Sequence, residues 1–276
     1  MLLGCIVLTT SDAIMKWLTG DYPVSQLLCA RGSLLLIVLL PFLVLKRGRN
    51  LAMPIVNVRG HLIRGALSTV SAFLFLNGLR FLPLAEAVTL TFAGPLFLTA
   101  MAPYLLSEKV GWRRWVAVMI GFAGVVLVFR PGTAVLQWVA LLPLGAALAE
   151  AFRDALTRQL RYTETALAMM TTSTAIIVAV SVFSMGFGWQ SIGLRDLFLI
   201  AVTALLFGVA HFAMIEALRQ AEAVLVSPFR YSAVLWATVL GVMYWDHMPD
   251  AWVIVGAVLI VGSGRKGKCI SSVPIF

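Results

Sequence analysis

Apolar positions run in long stretches along this chain, and polar positions collect in short breaks between them. Most of the runs approach or reach the ~20 residues that carry a helix across a bilayer. They do not alternate apolar and polar at every second residue, as the strands of a membrane barrel would. The pattern predicts ten helical spans, at 2–19, 25–45, 60–80, 84–105, 112–129, 134–157, 164–186, 196–217, 221–244 and 250–264. Several breaks are marked by proline or glycine: Tyr22-Pro23, Leu82-Pro83, Arg130-Pro131-Gly132 and Met248-Pro249. The tenth span is short and is expected to stand nearly upright or to thin the bilayer around it.

The pattern also repeats. AEAV at Ala85 returns at Ala221, 136 residues later, and Glu108–Gly124 matches Asp246–Gly262 at an offset of 138. Asp12 with Leu18-Thr19 matches Glu150 with Leu156-Thr157, again at 138. The chain therefore divides into residues 1–130 and 131–264, five spans each, with a tail over 265–276. Five is odd, so the second half enters the membrane upside down relative to the first. Such inverted halves offer two arrangements of similar energy, one open to each side.

Composition agrees with lipid as the solvent. Sixty-one per cent of residues are hydrophobic and 12% are charged, with a mean hydropathy of +0.97. A water-soluble domain of this length could not cover its surface with so few charges. In lipid only helix bundles and closed barrels satisfy their backbone. The fold class expected is an all-α integral membrane protein. The net charge of +9 does not point to nucleic acid, because the basic residues are spread through short connections. They fit topology signals and contacts with anionic lipid. Fourteen of them (Lys46, Arg47, Arg49, Arg59, Arg64, Lys109, Arg113, Arg114, Arg158, Arg161, Arg219, Arg265, Lys266 and Lys268) fall on one side, against Lys16, Arg80, Arg130 and Arg195 on the other. Both termini are thus expected in the cytoplasm. No basic region precedes the first apolar run and no A-x-A site follows it, so a cleaved signal peptide is not expected. Cys5, Cys29 and Cys269 lie far apart and form no metal or disulfide pattern.

Four segments resemble the drug/metabolite transporter superfamily, in particular its ten-helix EamA-type members. They are SDAIMKWLTGDYPVSQLLCARG at 11–32, GLRFLPLAEAVTLTFAGPLF at 78–97, LLSEKVGWRRWVAVMIGFAGV at 105–125 and SPFRYSAVLWATVLG at 227–241. The resemblance implies secondary transport of small organic solutes in the plasma membrane (the inner membrane of a bacterium), with no ATP site and no cofactor. It also implies a central cavity lined mainly by spans three, four, eight and nine, with help from one and six. Asp246 stands where that family usually has Glu, and the end CISSVPIF is not its usual basic tail.

A charge in hydrocarbon costs about 2.5–3.5 kcal/mol on insertion scales, so buried polar residues are the functional candidates. Arg230 sits in span nine within Ser227-Pro228-Phe229-Arg230-Tyr231. It either grips a carboxylate or phosphate with a forked pair of bonds or pairs with a buried Glu or with carbonyls. Ser68, Ser71 and Phe75 share one face of span three, as do Thr91 and Pro95 on span four. With Tyr231 and Trp236 they outline either an apolar cavity with polar anchors or ordinary interhelical glue. His211, in span eight, is either a proton-linked site or a hydrogen-bonded packing residue. The substrate-binding candidates are thus Arg230, Tyr231, Ser227, Trp236, Ser71, Phe75, Thr91 and His211.

The proton-coupling or gating candidates are Asp12, Lys16, Glu150 and Asp154. Asp12 and Lys16 are four apart and can pair, and Glu150, Arg153, Asp154 and Arg158 form a similar ladder. Arg31 can neutralise Asp12 or Asp21. Glu86 and Glu222 start equivalent spans and fit helix-dipole partners. His61 and His247 fall in or beside connections and carry no assignment. The pairs Gly145/Ala149 and Ala204/Gly208 fit close helix packing.

A membrane enzyme would need clustered nucleophile, acid and base, or metal ligands. The chain has no H-E-x-x-H, no G-x-S-x-G and no paired histidines. Its polar residues are scattered over many spans, which suits a pathway. Inverted halves favour a carrier over a passive channel. The expected partners are the lipid bilayer and a small-molecule substrate with a negative group and an apolar or aromatic part; the family resemblance implies an amino acid or derivative, a vitamin such as riboflavin, or a nucleoside-like solute such as S-adenosylmethionine.

Overall fold

A computed structural model describes residues 2–47, 56–105, 111–129, 134–184, 188–220, 232–246 and 250–265. Among these residues there is no strand. The helices are α1 Leu2–Leu18, α2 Val24–Arg47, α3 Val58–Phe81, α4 Leu84–Thr91, α5 Ala93–Leu105, α6 Trp112–Phe129, α7 Ala134–Gln159, α8 Ala166–Val182, α9 Leu194–Gln220, α10 Ser232–Trp245 and α11 Ala251–Arg265. Among the described residues four stretches are long and apolar enough to cross a membrane: Val24–Pro41, Val58–Phe81, Leu84–Leu105 and Leu194–Ala217. Shorter apolar helices accompany them at Val118–Leu127, Ala166–Val182 and Ala233–Trp245.

The expected continuous span 84–105 is broken at Phe92. Pro95 explains the break. It has no N–H to offer Thr91, and its ring crowds the Thr91 carbonyl one turn earlier. The Phe92 N–H turns instead to the Thr89 carbonyl at 3.1 Å, a tighter turn that ends α4.

Helix α3 packs on α7 and α8, α1 on α9 and α10, α2 on α8 and α9, α7 on α4 and α5, and α6 on α11. Small residues set these approaches. A Cβ at Gly208 would fall 2.7 Å from Leu35 Cδ1, and one at Gly145 3.1 Å from Leu74 Cδ1. One at Gly78 would fall 2.8 Å from the ring Cδ of Pro143. A proline ring cannot swing aside, so Gly78→Val must separate α3 from α7. An overpacked core costs about 1–3 kcal/mol, and thermal unfolding in detergent should show that loss. Gly4→Ala is the control: its nearest neighbour lies 3.9 Å away, and it should hold or raise the midpoint by helix propensity.

The outer faces are apolar. Ile37 on α2, Phe198, Leu205 and Val209 on α9, Leu235 and Val239 on α10, and Trp252 and Val258 on α11 are all exposed. Apolar exposure on this scale needs lipid around it. The chain is a multi-pass membrane protein.

Candidate functional site

Inside the bundle lies a cavity of about 120 Å³, lined from α1, α2, α3, α4, α7, α8, α9 and α10. Its wall is mostly apolar side chain, with Phe75 and Phe207 as ring surfaces and hydroxyls from Thr9, Ser68, Ser71, Thr91, Ser173 and Thr174. Four of these hydroxyls spend their proton on their own helix. Thr9 donates to Cys5 O at 2.8 Å, Ser68 to Arg64 O at 2.9 Å, Thr91 to Val88 O at 2.7 Å and Thr174 to Met170 O at 2.9 Å. Their remaining lone pairs make the wall rich in acceptors. Thr91 is the last residue of α4, so the helix break opens onto the cavity.

Charged groups of both signs reach this space: Asp12, Glu150, Arg31 and Arg153. Asp12 interacts electrostatically with Arg31 and with Glu150. The Arg31 guanidinium lies 4.2 Å from the Phe207 ring centre, and Phe207 stacks on His211 at 5.0 Å with 13° between the planes. Arg153 lies 3.6 Å from Glu150 and donates two bonds to Asp154 Oδ1, at 3.1 and 3.0 Å. Among the described residues, the charged groups at the cavity are two carboxylates and two guanidinium groups.

Beside the cavity sits a residue that was counted among the connections. Arg64 lies within α3 and is 1% exposed. Its Nε donates to Thr157 Oγ1 at 2.9 Å, and its Nη1 to Met169 O at 2.7 Å and Ser173 Oγ at 2.6 Å. It thereby ties α3 to α7 and α8. The usable signal was its spacing: Arg64, Ser68, Ser71 and Phe75 lie on one stripe of a helix.

Two further clusters tie the ends of the bundle. At one end, buried Glu164 accepts from Val56 N at 2.9 Å and Asn57 N at 2.8 Å, and its other oxygen lies 3.0 Å from His61 Nε2. Burial pushes the Glu164 carboxyl up, but the two backbone donors and His61 outweigh it and hold the group below its ordinary range. His61 is thus buried within α3, and its Nδ1 bonds Thr172 Oγ1 at 2.7 Å. At the other end, Gln190 N donates to Gln26 Oε1 at 3.0 Å, and Tyr22 OH donates to Asp196 Oδ2 at 2.7 Å.

Of the substrate-binding candidates, Ser71, Phe75, Thr91 and His211 line the cavity together. Trp236 does not: it is 39% exposed on the outer face of α10, beside exposed Leu235. Ser227, Arg230 and Tyr231 lie outside the described residues. Among the gating candidates, Asp12 and Glu150 reach the cavity. Asp154 is buried behind it and held by Arg153. Lys16 does not make the expected pair with Asp12. Its Nζ donates to Leu79 O at 2.8 Å and Leu82 O at 2.6 Å, carbonyls that the end of α3 before Pro83 leaves without helical partners. It also interacts with Glu86 in the first turn of α4.

Residues 1–130 match the EamA-like transporter family. The chain is 25% identical to an S-adenosylmethionine uptake transporter of Rickettsia bellii, over 94% of this chain and 89% of the relative. It is 26% identical to a riboflavin transporter of Rhizobium johnstonii, over 95% and 87%, and 22% identical to a pseudopaline exporter of Pseudomonas aeruginosa, over 94% and 91%. A solved crystal structure shares the fold at a TM-score of 0.70 and 18% identity, over 97% of this chain and 95% of that one. The family and these relatives are transporters and not enzymes, and the relatives' names give small metabolites as what they carry.

Proposed function

We propose that this chain is an EamA-like secondary carrier that moves a small zwitterionic, ring-bearing metabolite across a bacterial inner membrane by alternating access. The observation that carries the reading is the presence of both signs of charge at the cavity. A lone anion drawn to Arg31 would also approach the carboxylates of Asp12 and Glu150, and a lone cation drawn to those carboxylates would also approach Arg31 and Arg153. A zwitterion meets both, and Phe75 and Phe207 offer faces for a ring. S-adenosylmethionine has this chemistry: a carboxylate, an ammonium, a sulfonium and a purine. Riboflavin would use the ring surfaces and engage none of the paired charges. In this reading the negative group assigned to Arg230 from the sequence is met by Arg31. Asp12 and Glu150 carry the coupling proton.

The carrier would have ten spans, with α4 and α5 as one broken span, in inverted halves at 1–130 and 131–264. Both termini and the tail at 265–276 would lie in the cytoplasm. The packing supports this. Exchanging α1 with α7, α2 with α8, α3 with α9, α4/α5 with α10 and α6 with α11 carries the largest helix contacts into one another or onto themselves. The pair α1–α9 becomes α7–α3, α2–α9 becomes α8–α3, and α1–α10 becomes α7–α4/α5, while α2–α8 and α6–α11 map onto themselves.

A thermal-shift panel of anionic, cationic and zwitterionic metabolites on purified protein tests the substrate class. A ligand at about 100 times its Kd adds about 2.7 kcal/mol, a rise of several degrees in the midpoint. Zwitterionic, ring-bearing compounds should give that rise in the unmutated protein and lose most of it in Arg31→Ala. Equal rises in both proteins, or a response to simple anions alone, would contradict the proposal.

A further inference from the structure

Gln26 and Glu164 occupy corresponding places in the two halves. Gln26 lies in the first turn of α2, and Glu164 lies in the turn ahead of α8. Those are the second helices of their halves. Each side chain uses one oxygen to accept backbone N–H groups from the opposite half, in the connection that leads into its third helix. For Gln26 the donor is Gln190, ahead of α9, at 3.0 Å. For Glu164 the donors are Val56 and Asn57, ahead of α3, at 2.9 and 2.8 Å. Both are buried, at 3% and 1% exposure. Each tie has a neighbour that reinforces it: Tyr22 OH on Asp196 beside Gln26, and His61 on Glu164.

Local helix capping does not account for this. Asn57 Oδ1 already caps α3 through Gly60 N at 2.8 Å, so Glu164 adds a bond between halves. The two ties lie at opposite ends of the bundle, because α2 and α3 run in opposite directions from them. A carrier that opens to one face at a time must break one such tie and keep the other.

We propose that Gln26 and Glu164 are the paired latches of the two faces, each closing its own face by holding the opposite half's connection. This rests on the alternating-access reading above. The structure has both latches made. Breaking one releases only its own face.

The test uses the full chain with Cys5, Cys29 and Cys269 replaced by serine and a single cysteine at Ser71 in the cavity. A membrane-impermeant maleimide is applied to vesicles from either side. Glu164→Ala should raise labelling from the Glu164 face by about tenfold, the scale set by losing charge-assisted bonds from a closed state. It should lower labelling from the other face. Gln26→Ala should do the opposite. Glu164→Gln keeps an acceptor oxygen and should label nearly as the parent does. If Glu164→Ala does not fold, Gln26→Ala carries the test alone, with labelling expected to rise from the Gln26 face. Labelling in both alanine variants equal to the parent's, or raised on the same face in both, overturns the latches. Simultaneous, equal labelling from both faces in the parent would instead overturn alternating access itself.

Discussion

Arg64→Ala is expected to lower the stability of the bundle by about 3–5 kcal/mol, because hydrogen bonds to a charged group are worth about 1.5–3 kcal/mol each and a large-to-small change in a core adds a cavity cost. The side chain is 1% exposed and its three bonds reach Thr157, Met169 and Ser173. Without it, α7 and α8 lose their shared cross-link to α3, and the truncated side chain leaves a void that packing closes only in part. Lysine should not rescue the loss. A single ammonium cannot reproduce the divergent Nε and Nη1 donors that reach two helices at once. Thermal unfolding in detergent checks this: Arg64→Ala and Arg64→Lys should both melt well below the parent. A parent-like midpoint for Arg64→Ala would show that the cross-link adds nothing to the fold.

The second large effect should fall on transport and leave the fold in place. Asp12 sits in the cavity among Arg31 and Glu150. Asp12→Asn keeps the shape and removes the charge. Substrate exchange should fall by roughly a hundredfold, because losing one member of a buried charge pair costs about 2–5 kcal/mol, and each 1.36 kcal/mol is tenfold in rate. The unfolding midpoint should also fall, because buried Arg31 loses its carboxylate neighbour, so exchange is compared well below both midpoints. Asp154→Asn should behave differently: Asp154 is held by Arg153 behind the cavity, so its loss should show first in stability. Equal transport loss in the two variants would mean that the cavity wall does not discriminate between them.

Much of the helix pattern was legible in the chain because lipid makes helices out of apolar runs. The ends of α1, α3, α7, α9 and α11 fall within a few residues of the expected spans. The break at Phe92 was legible too, through Pro95, but a continuous apolar run hid it. Part of the cavity could also be read. Ser71 and Phe75 share a helical stripe, and Thr91 ends a helix that a proline breaks. What could not be read was which partner wins. The spacing of Asp12 and Lys16 allows a pair, yet Lys16 goes to the carbonyls of Leu79 and Leu82, and Asp12 is left among Arg31 and Glu150. A local rule cannot see the end of another helix 63 residues away. Trp236 lies away from the cavity for a related reason: its helix turns it to the outer surface and Ala233 to the cavity. His61 and Glu164 gave no signal beyond being single polar residues near predicted ends, and only the approach of α8 to α3 buries them.

Counterflow in proteoliposomes tests the central claim most directly. Vesicles are loaded with unlabelled S-adenosylmethionine, and labelled S-adenosylmethionine is added outside. A zwitterion carrier accumulates label transiently against its gradient, and Asp12→Asn abolishes the overshoot. Labelled substrate that merely equilibrates, whether or not the vesicles are preloaded, would contradict a carrier.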